Sequence, residues 1–165
     1  MPFRFPCNPV FDFYVYVNMF YGSISDFCTD RDCPIMSAGP GFEYPLLDGQ
    51  KKASKPTAPQ YILVALSSIQ DLINDENVFP TKDGNEFPAT FRQNVKTIFK
   101  QLMRIFAHMY HSHFDKMLPL YQEGHLNSLF AHFVRFAREF DLLEKKDMLP
   151  MQELVDFFGN EGILN

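Results

Sequence analysis

One amphipathic stretch near the middle of the chain, residues 89–113, constrains the fold more than any other feature. It reads ATFRQNVKTIFKQLMRIFAHMYHSH and repeats apolar residues every three or four positions. That period predicts one long helix with a broad apolar face, which other elements of the fold have to cover. The apolar stripe comprises Phe91, Val95, Ile98, Phe99, Leu102, Ile105, Phe106 and Met109.

Four further segments predict helices. Residues 10–26 are almost continuously apolar and longer than most strands, which favours a helix. QYILVALSSIQDLIND follows Pro59, which suits the first position of a helix, and it has helical spacing. Residues 123–140 repeat the pattern, and a last helix is expected at about residues 148–158. The fold class is therefore predicted to be all-α, a helical bundle.

Long loops separate these helices. Residues 28–57 and 76–88 are rich in proline, glycine and turn-forming residues. Asp48-Gly49 is a turn signal, so a short β-hairpin is expected around it. The first nine residues hold three prolines and read as an irregular segment, residues 1–9. A single helical domain is expected to follow over residues 10–165, with a core built largely from aromatic rings because the chain has 19 Phe.

Charge and composition exclude several classes of function. The formal net charge of −5 disfavours nucleic-acid binding, which depends on neutralising phosphates, and is compatible with a basic protein partner. No uninterrupted apolar run is long enough for a membrane span. The amino end lacks the layout of a secretory signal, and three cysteines fit an intracellular protein better than a disulfide scaffold. The expected location is the cytoplasm, with the nucleus and the cell cortex as alternatives.

Two cysteines and three histidines point to a metal site. Cys28 and Cys33 form a C-x4-C pair in the first loop, and the long helix closes with His108, His111 and His113. Two sulfurs and two imidazoles complete the tetrahedral shell that zinc prefers. Either pair alone would more often be buried thiols or unremarkable histidines, but the two pairs together predict zinc. A closed shell of four ligands predicts a structural role.

The choice of histidines stays open from spacing alone. On a straight helix His108 and His111 share a face, so periodicity favours His111. Pairing His108 with His113 would require the last turn to loosen. The alternative of a zinc hydrolase is disfavoured, because the sequence contains neither H-E-x-x-H nor the deaminase combination of H-x-E and C-x-x-C.

A basic ridge follows the same helix. Lys96, Lys100, Arg104 and His108 recur every fourth residue. Like charges at this spacing repel one another, so in an acidic protein the ridge is a candidate seat for an anion such as phosphate. The alternative is that these residues form only the solvated side of an amphipathic helix.

Six sequence motifs, in order along the chain, resemble those of the Mob/phocein family. They are FYGSISDFCTDRDCPIMSAGP, TAPQYILV, NVFPTKDGNEFP, LMRIFAHMYHSHF, GHLNSLFAHF and FAREFDLL, and the resemblance runs from about Asp12 to about Phe158. Members of that family are non-catalytic co-activators of Ndr and Lats protein kinases. The last two motifs resemble most the branch that partners Ndr-type kinases. The resemblance implies an adaptor, not an enzyme, that binds the basic amino-terminal regulatory region of an Ndr/Lats-type serine/threonine kinase in Hippo-like signalling of cell cycle and cell polarity.

The resemblance also implies roles for particular residues. It implies a structural zinc whose ligands correspond to Cys28, Cys33, His108 and His113, which leaves His111 outside the shell. It implies a kinase-facing surface that includes Phe79, Pro80 and His132.

A phosphopeptide site is implied as well. Family members that bind phosphopeptides use three basic residues on the long helix, and two of these correspond to Lys100 and Arg104. The third position is Gln101 here, which removes one charged donor. The alternative function is accordingly a phosphopeptide-binding signalling scaffold that does not activate a kinase.

Overall fold

Helices make up most of the chain that the computed structural model describes, which is residues 7–47, 53–81 and 86–164. The α-helices are α1 (Cys7–Ile24), α2 (Ala58–Asn74), α3 (Phe91–Met117), α4 (Glu123–Glu139), α5 (Lys145–Met148) and α6 (Gln152–Asn160). Short 3₁₀ turns occupy Ser25–Phe27, Leu118–Leu120 and Leu149–Met151. Two short strands, β1 (Leu46–Leu47) and β2 (Ala53–Ser54), pair antiparallel. The prediction of an all-α fold with a short hairpin is confirmed, although the turn at Asp48-Gly49 lies outside the described residues.

The long helix α3 lies at the centre of the bundle. It contacts α1, α2, α4 and α5, so neighbours cover it on several sides. All eight residues of the predicted apolar stripe are buried. Val95, Ile98 and Phe106 are fully inaccessible to solvent. The apolar stripe read from the helical period is thus the buried face of this helix, and the structure adds that the helix is central.

Aromatic rings join three of the helices. Phe99 of α3 stacks on Phe133 of α4, with ring centroids 4.7 Å apart and planes 8° from parallel. Phe13 of α1 meets both rings edge-on, at 5.7 Å from Phe99 and 5.4 Å from Phe133. Stacked and edge-to-face pairs are the favoured aromatic geometries, because the negative ring face attracts the positive ring edge. The aromatic core expected from the composition is present.

Proline and threonine set helix boundaries. Thr57 caps α2, with its side-chain oxygen accepting from Gln60 N at 3.4 Å. Pro59 is the second residue of α2, one position later than predicted, and it still lies in the first turn. Pro150 lies in the 3₁₀ turn between α5 and α6, where it has no amide hydrogen to bond the carbonyl of Lys146. The single last helix predicted at about 148–158 is therefore two helices.

The amino-terminal helix begins earlier than expected. The sequence predicted an irregular segment over residues 1–9, but α1 begins at Cys7, so part of that segment is helical; residues 1–6 lie outside the described residues. Pro9 is compatible with this start, because the first amides of a helix have no intrahelical acceptor.

Helix α1 is the most apolar element, and it buries one face. Val10, Phe13 and Val17 are buried, whereas Asp12 and Asn18 are exposed. Across the described ranges, none of the helices has both the length and the hydropathy that a bilayer crossing requires.

We expect Phe133→Ala to lower the free energy of unfolding by about 3–5 kcal/mol, because it leaves a cavity against Phe13 and Phe99. Urea titration of the metal-loaded protein measures this loss. The matched control is Phe157→Ala, at a phenylalanine that is 54% exposed, and it should cost about 1 kcal/mol or less. Equal losses from the two variants would contradict the core described here.

Candidate metal centre

The two cysteines lie in a loop that the backbone holds in place. Cys28 ends the 3₁₀ turn after α1, and its amide donates to the carbonyl of Ser25 at 3.1 Å. The Cys33 amide donates to the carbonyl of Thr29 at 2.8 Å, and its carbonyl accepts from the amide of Ala58 at 3.0 Å. The second bond ties the loop to the start of α2. Both thiols are free and buried.

Two histidines of α3 face these thiols. His108 and His113 are 1% and 3% exposed. Cys28 Sγ lies 3.5 Å from His108 Nε2, and Cys33 Sγ lies 3.5 Å from His113 Nε2. The two Nε2 atoms are 3.3 Å apart. All four ligand atoms lie within 4.8 Å of one another, close enough to bind one metal ion.

The structure brings His113 to the site and places His111 elsewhere. Helix α3 continues without interruption from Phe91 to Met117, so the loosened last turn that the straight-helix argument required is not observed. The rings of His108 and His113 converge edge to face, with centroids 5.1 Å apart. His111 lies instead against Gly39 of the loop. The pairing favoured by periodicity is therefore not the one that the fold assembles.

A backbone carbonyl orients the first histidine. His108 Nδ1 lies 2.7 Å from the carbonyl oxygen of Ser37. Because a carbonyl only accepts, Nδ1 carries the hydrogen and Nε2 keeps its lone pair directed at the thiols. This is the tautomer that binds a metal, and it is how metal-binding histidines are usually held.

Burial keeps all four groups uncharged until a cation arrives. It raises the pKa of the Cys28 thiol to about 12, opposed by a hydrogen bond from Tyr21, and it raises the pKa of Cys33. Burial lowers the pKa of His113 to about 4, and it lowers the pKa of His108 against the effect of the Ser37 carbonyl. The imidazoles are thus already in the metal-binding form at neutral pH, and a dication would displace protons from the thiols.

The basic ridge is paired internally. Lys96 Nζ lies 3.4 Å from Asp141, and Lys100 Nζ lies 3.8 Å from Asp147. Arg104 donates to the hydroxyl of Tyr61 at 2.7 Å. His108 is buried in the metal centre, so the prediction that it continues the ridge is wrong: its ring faces the thiols and not solvent.

The third position of the implied phosphopeptide site is neutral and engaged. The Tyr61 hydroxyl donates to Gln101 Oε1 at 2.6 Å. Lys100 and Arg104 line one cavity of about 270 Å³, and Gln101 is not among its lining residues.

The residues predicted to face a kinase differ in exposure. Phe79 is only 5% exposed, with its ring edge-to-face on Phe91 at 5.0 Å. Pro80 is half-buried. His132 is exposed, and its ring contacts Phe13 at 5.3 Å. Of the three, His132 has the most surface to offer a partner, and their role in kinase binding stays a prediction.

The structure is a small helical domain. Its first long loop meets the central helix α3 at four buried side chains that are placed to hold a metal ion. The chain belongs to the Mob1/phocein family, whose model matches residues 5–151. It is 49% identical over 147 residues to "MOB kinase activator-like 1 homolog A" of Dictyostelium discoideum, covering 88% of this chain and 69% of that protein.

Two further relatives come from a fission yeast and a plant. "Maintenance of ploidy protein mob2" of Schizosaccharomyces pombe is 46% identical over 153 residues, which is 93% of this chain and 63% of that protein. "MOB kinase activator-like 1A" of Arabidopsis thaliana is 46% identical over 147 residues, which is 88% of this chain and 68% of that protein.

Two residues that shape the site, Ser37 and Gly39, could not be predicted from the sequence. Ser37 acts through its backbone carbonyl, which any residue would supply. Gly39 was read only as part of a flexible loop, but its φ of +104° and the His111 ring beside it both exclude a side chain.

We expect His113→Ala to lose the bound metal and to lower the free energy of unfolding by about 4 kcal/mol, because it opens the ligand set. His111→Ala is the matched control, and it should keep one metal ion per chain. Elemental analysis and urea titration measure the two effects. Metal loss from His111→Ala with retention in His113→Ala would reverse the assignment.

We expect Gly39→Ala to weaken metal binding roughly tenfold, because its Cβ would lie 2.9 Å from His111 Cε1 and would push the Ser37 segment away from His108. Gly41→Ala is the control, since it has a similarly positive φ of +85° but open space around it. Competition with a chromophoric chelator measures the affinity. Adding His111→Ala to Gly39→Ala should restore part of it; equal effects of the two glycine variants would refute this packing.

Proposed function

We propose that the metal is zinc and that its role is structural. Zinc binds sulfur at about 2.3 Å and imidazole nitrogen at about 2.0 Å. In a tetrahedral site with these bond lengths, the two nitrogens lie about 3.3 Å apart and each sulfur lies about 3.5 Å from each nitrogen. The observed separations are 3.3 Å between the histidine nitrogens and 3.5 Å in each sulfur–nitrogen pair. Geometry and donor chemistry both favour zinc.

Four protein ligands leave no coordination position for water or substrate, so the proposed zinc does not support metal-assisted hydrolysis. Its effect is mechanical. It ties residues 28–37 to α3, which is also the helix that organises the core. A partner would then meet a surface whose loop and helices have fixed relative positions.

The proposed biochemical function is that of a non-catalytic adaptor and co-activator of a protein kinase. The observation that carries it is the similarity to proteins named as MOB kinase activators, at 46–49% identity over 88% of this chain. The proposed partner is the basic amino-terminal regulatory region of an Ndr/Lats-type kinase, acting in the cytoplasm. A formal net charge of −5 suits a basic partner and would speed the encounter.

Activation in this proposal needs no chemistry from the adaptor. The kinase exchanges between an ordered, active arrangement and less active ones, and the adaptor binds the active arrangement more tightly. The shift in population is then limited by that difference in affinity. His132 is proposed to lie at the contact, because it is exposed on α4 while Phe13 supports its ring from below. Phe79 would act by shaping the loop that carries Pro80, since it is itself buried.

A second candidate function is a phosphopeptide-binding scaffold. It is favoured by the cavity that Lys100 and Arg104 line together, which is wide enough for a phosphate group. The two candidates concern different residues, so they can be tested separately.

We expect the protein to bind a purified Ndr-type kinase, to raise its activity toward a peptide substrate, and to lose about tenfold in affinity with His132→Ala, the loss typical of an interface anchor. His125→Ala is the matched control, at an exposed histidine two turns earlier on α4. Calorimetry measures the affinity, and radiolabelled phosphate transfer measures the activity. Binding to neither Ndr nor Lats kinases would overturn the proposal.

A further inference from the structure

A charged cavity of about 270 Å³ lies between the first long loop, α3 and α5. Its lining comprises Phe42, Glu43, Tyr44, Lys100, Arg104, Lys146 and Asp147. We propose that Lys146 is the third cation of a phosphate-binding pocket, together with Lys100 and Arg104, and that Asp147 competes with the ligand for Lys100. This inference rests on the second candidate function, phosphopeptide binding, and deepens it by naming the residues that set affinity.

Gln101 does not supply the third contact. Its Oε1 accepts the hydroxyl hydrogen of Tyr61, and its amide carries no charge in any case. Lys146 comes from a different helix, but it lines the same cavity as the two cations of α3. Two basic residues of α3 line the cavity, and Lys146 brings the number of cations in the pocket to three.

Arg104 is already positioned to receive an anion. Its Nη1 donates to the Tyr61 hydroxyl, and its guanidinium carbon lies 4.8 Å from the centroid of the Tyr44 ring. The two contacts hold the guanidinium plane and use only part of its five N–H donors. Its remaining donors suit the planar, two-pronged hydrogen bonding by which arginine binds phosphate.

Each of the two lysines has an acidic partner with which a bound phosphate would compete. Lys146 Nζ lies 2.8 Å from Glu144 Oε2, and both side chains are about two-thirds exposed, at 64% and 67%. Exposed pairs of this kind contribute little to stability. Lys100 Nζ lies 3.8 Å from Asp147 Oδ1, a longer contact. A phosphate monoester carries close to two charges and three acceptor oxygens, so it would gather all three cations at once.

Asp147 is held at the pocket for a second reason. Its Oδ2 accepts from the amide of Glu144, which is one half of the capping box that begins α5. The carboxylate therefore cannot move away from Lys100 without uncapping the helix. It stays as a fixed negative charge against the ligand, and removing that charge should tighten binding. Asn at this position keeps an oxygen for the cap.

The occupant that these features fit is a phosphorylated peptide. Tyr44 and Phe42 give the cavity an aromatic wall, which a flanking side chain of a peptide can cover and a free phosphate cannot. Glu43 also lines the cavity, but its carboxylate pairs with Lys55 at 2.9 Å, so this pair adds no net charge to the wall.

The test is a fluorescence titration with three ligands: a phosphothreonine peptide of neutral flanking sequence, the unphosphorylated peptide of the same sequence, and inorganic phosphate. We expect Lys146→Gln to weaken binding of the phosphorylated peptide roughly tenfold, the loss of one charge-assisted contact. Lys145→Gln is the matched control: the same charge is removed one residue earlier on α5, outside the cavity lining. Asp147→Asn should bind several-fold more tightly. Inorganic phosphate should bind more weakly than the peptide.

The outcomes separate this inference from the function on which it rests. If the phosphorylated peptide binds and Arg104→Gln abolishes binding, but Lys146→Gln equals Lys145→Gln, the site stands and the assignment of Lys146 is overturned. If the protein binds the phosphorylated and unphosphorylated peptides equally, phosphopeptide binding itself fails, and the inference fails with it. Kinase binding through His132 is measured independently of both results.

Discussion

The convergence of two thiols and two imidazoles is the constraint on which the rest of the structure depends. Four polar groups are buried with no charge to attract one another, and burial opposes ionisation of each. Without a cation, burying these four groups destabilises the fold. A bound cation makes the arrangement stabilising, because the thiols lose their protons and all four ligand atoms coordinate the ion. A bound metal ion would fix a long loop that has little regular structure to the central helix, in addition to the backbone hydrogen bonds that already hold part of the loop.

Helix α3 serves three purposes on three faces. Its apolar face contributes Phe99 and Phe106 to the aromatic core. Its carboxyl-terminal half presents His108 and His113 to the loop. Its remaining face carries Lys96, Lys100 and Arg104, each with a partner on another element. The core, the metal centre and the charged cavity are therefore all built on one continuous helix.

The comparison of sequence with structure separates local from non-local information. The helices were predictable because the apolar period of each one lies within a single continuous segment of sequence, as in the stripe from Phe91 to Met109. Pro59 and Pro150 act on their own backbone, yet the effect of Pro150 on the last helix was missed, because the apolar pattern continues across it. The metal-binding types were also predictable from the rarity of cysteine and the clustering of histidine. The choice between His111 and His113 could not be made from helical spacing, which favoured His111; the resemblance to the Mob/phocein family pointed to His113, and the structure places His113 at the site.

By itself the sequence determined the helical class, the long helix α3, the aromatic core and the two residue types of the metal centre, because each follows from composition or from neighbours along the chain. Only the tertiary structure decided that the Ser37 carbonyl fixes the His108 tautomer and that Lys146 lines the same cavity as Lys100 and Arg104, and it placed His113 against the thiols where helical spacing had favoured His111. The physical reason is that these contacts join segments far apart in sequence. Their geometry depends on how the helices pack, and no period or spacing within one segment encodes it.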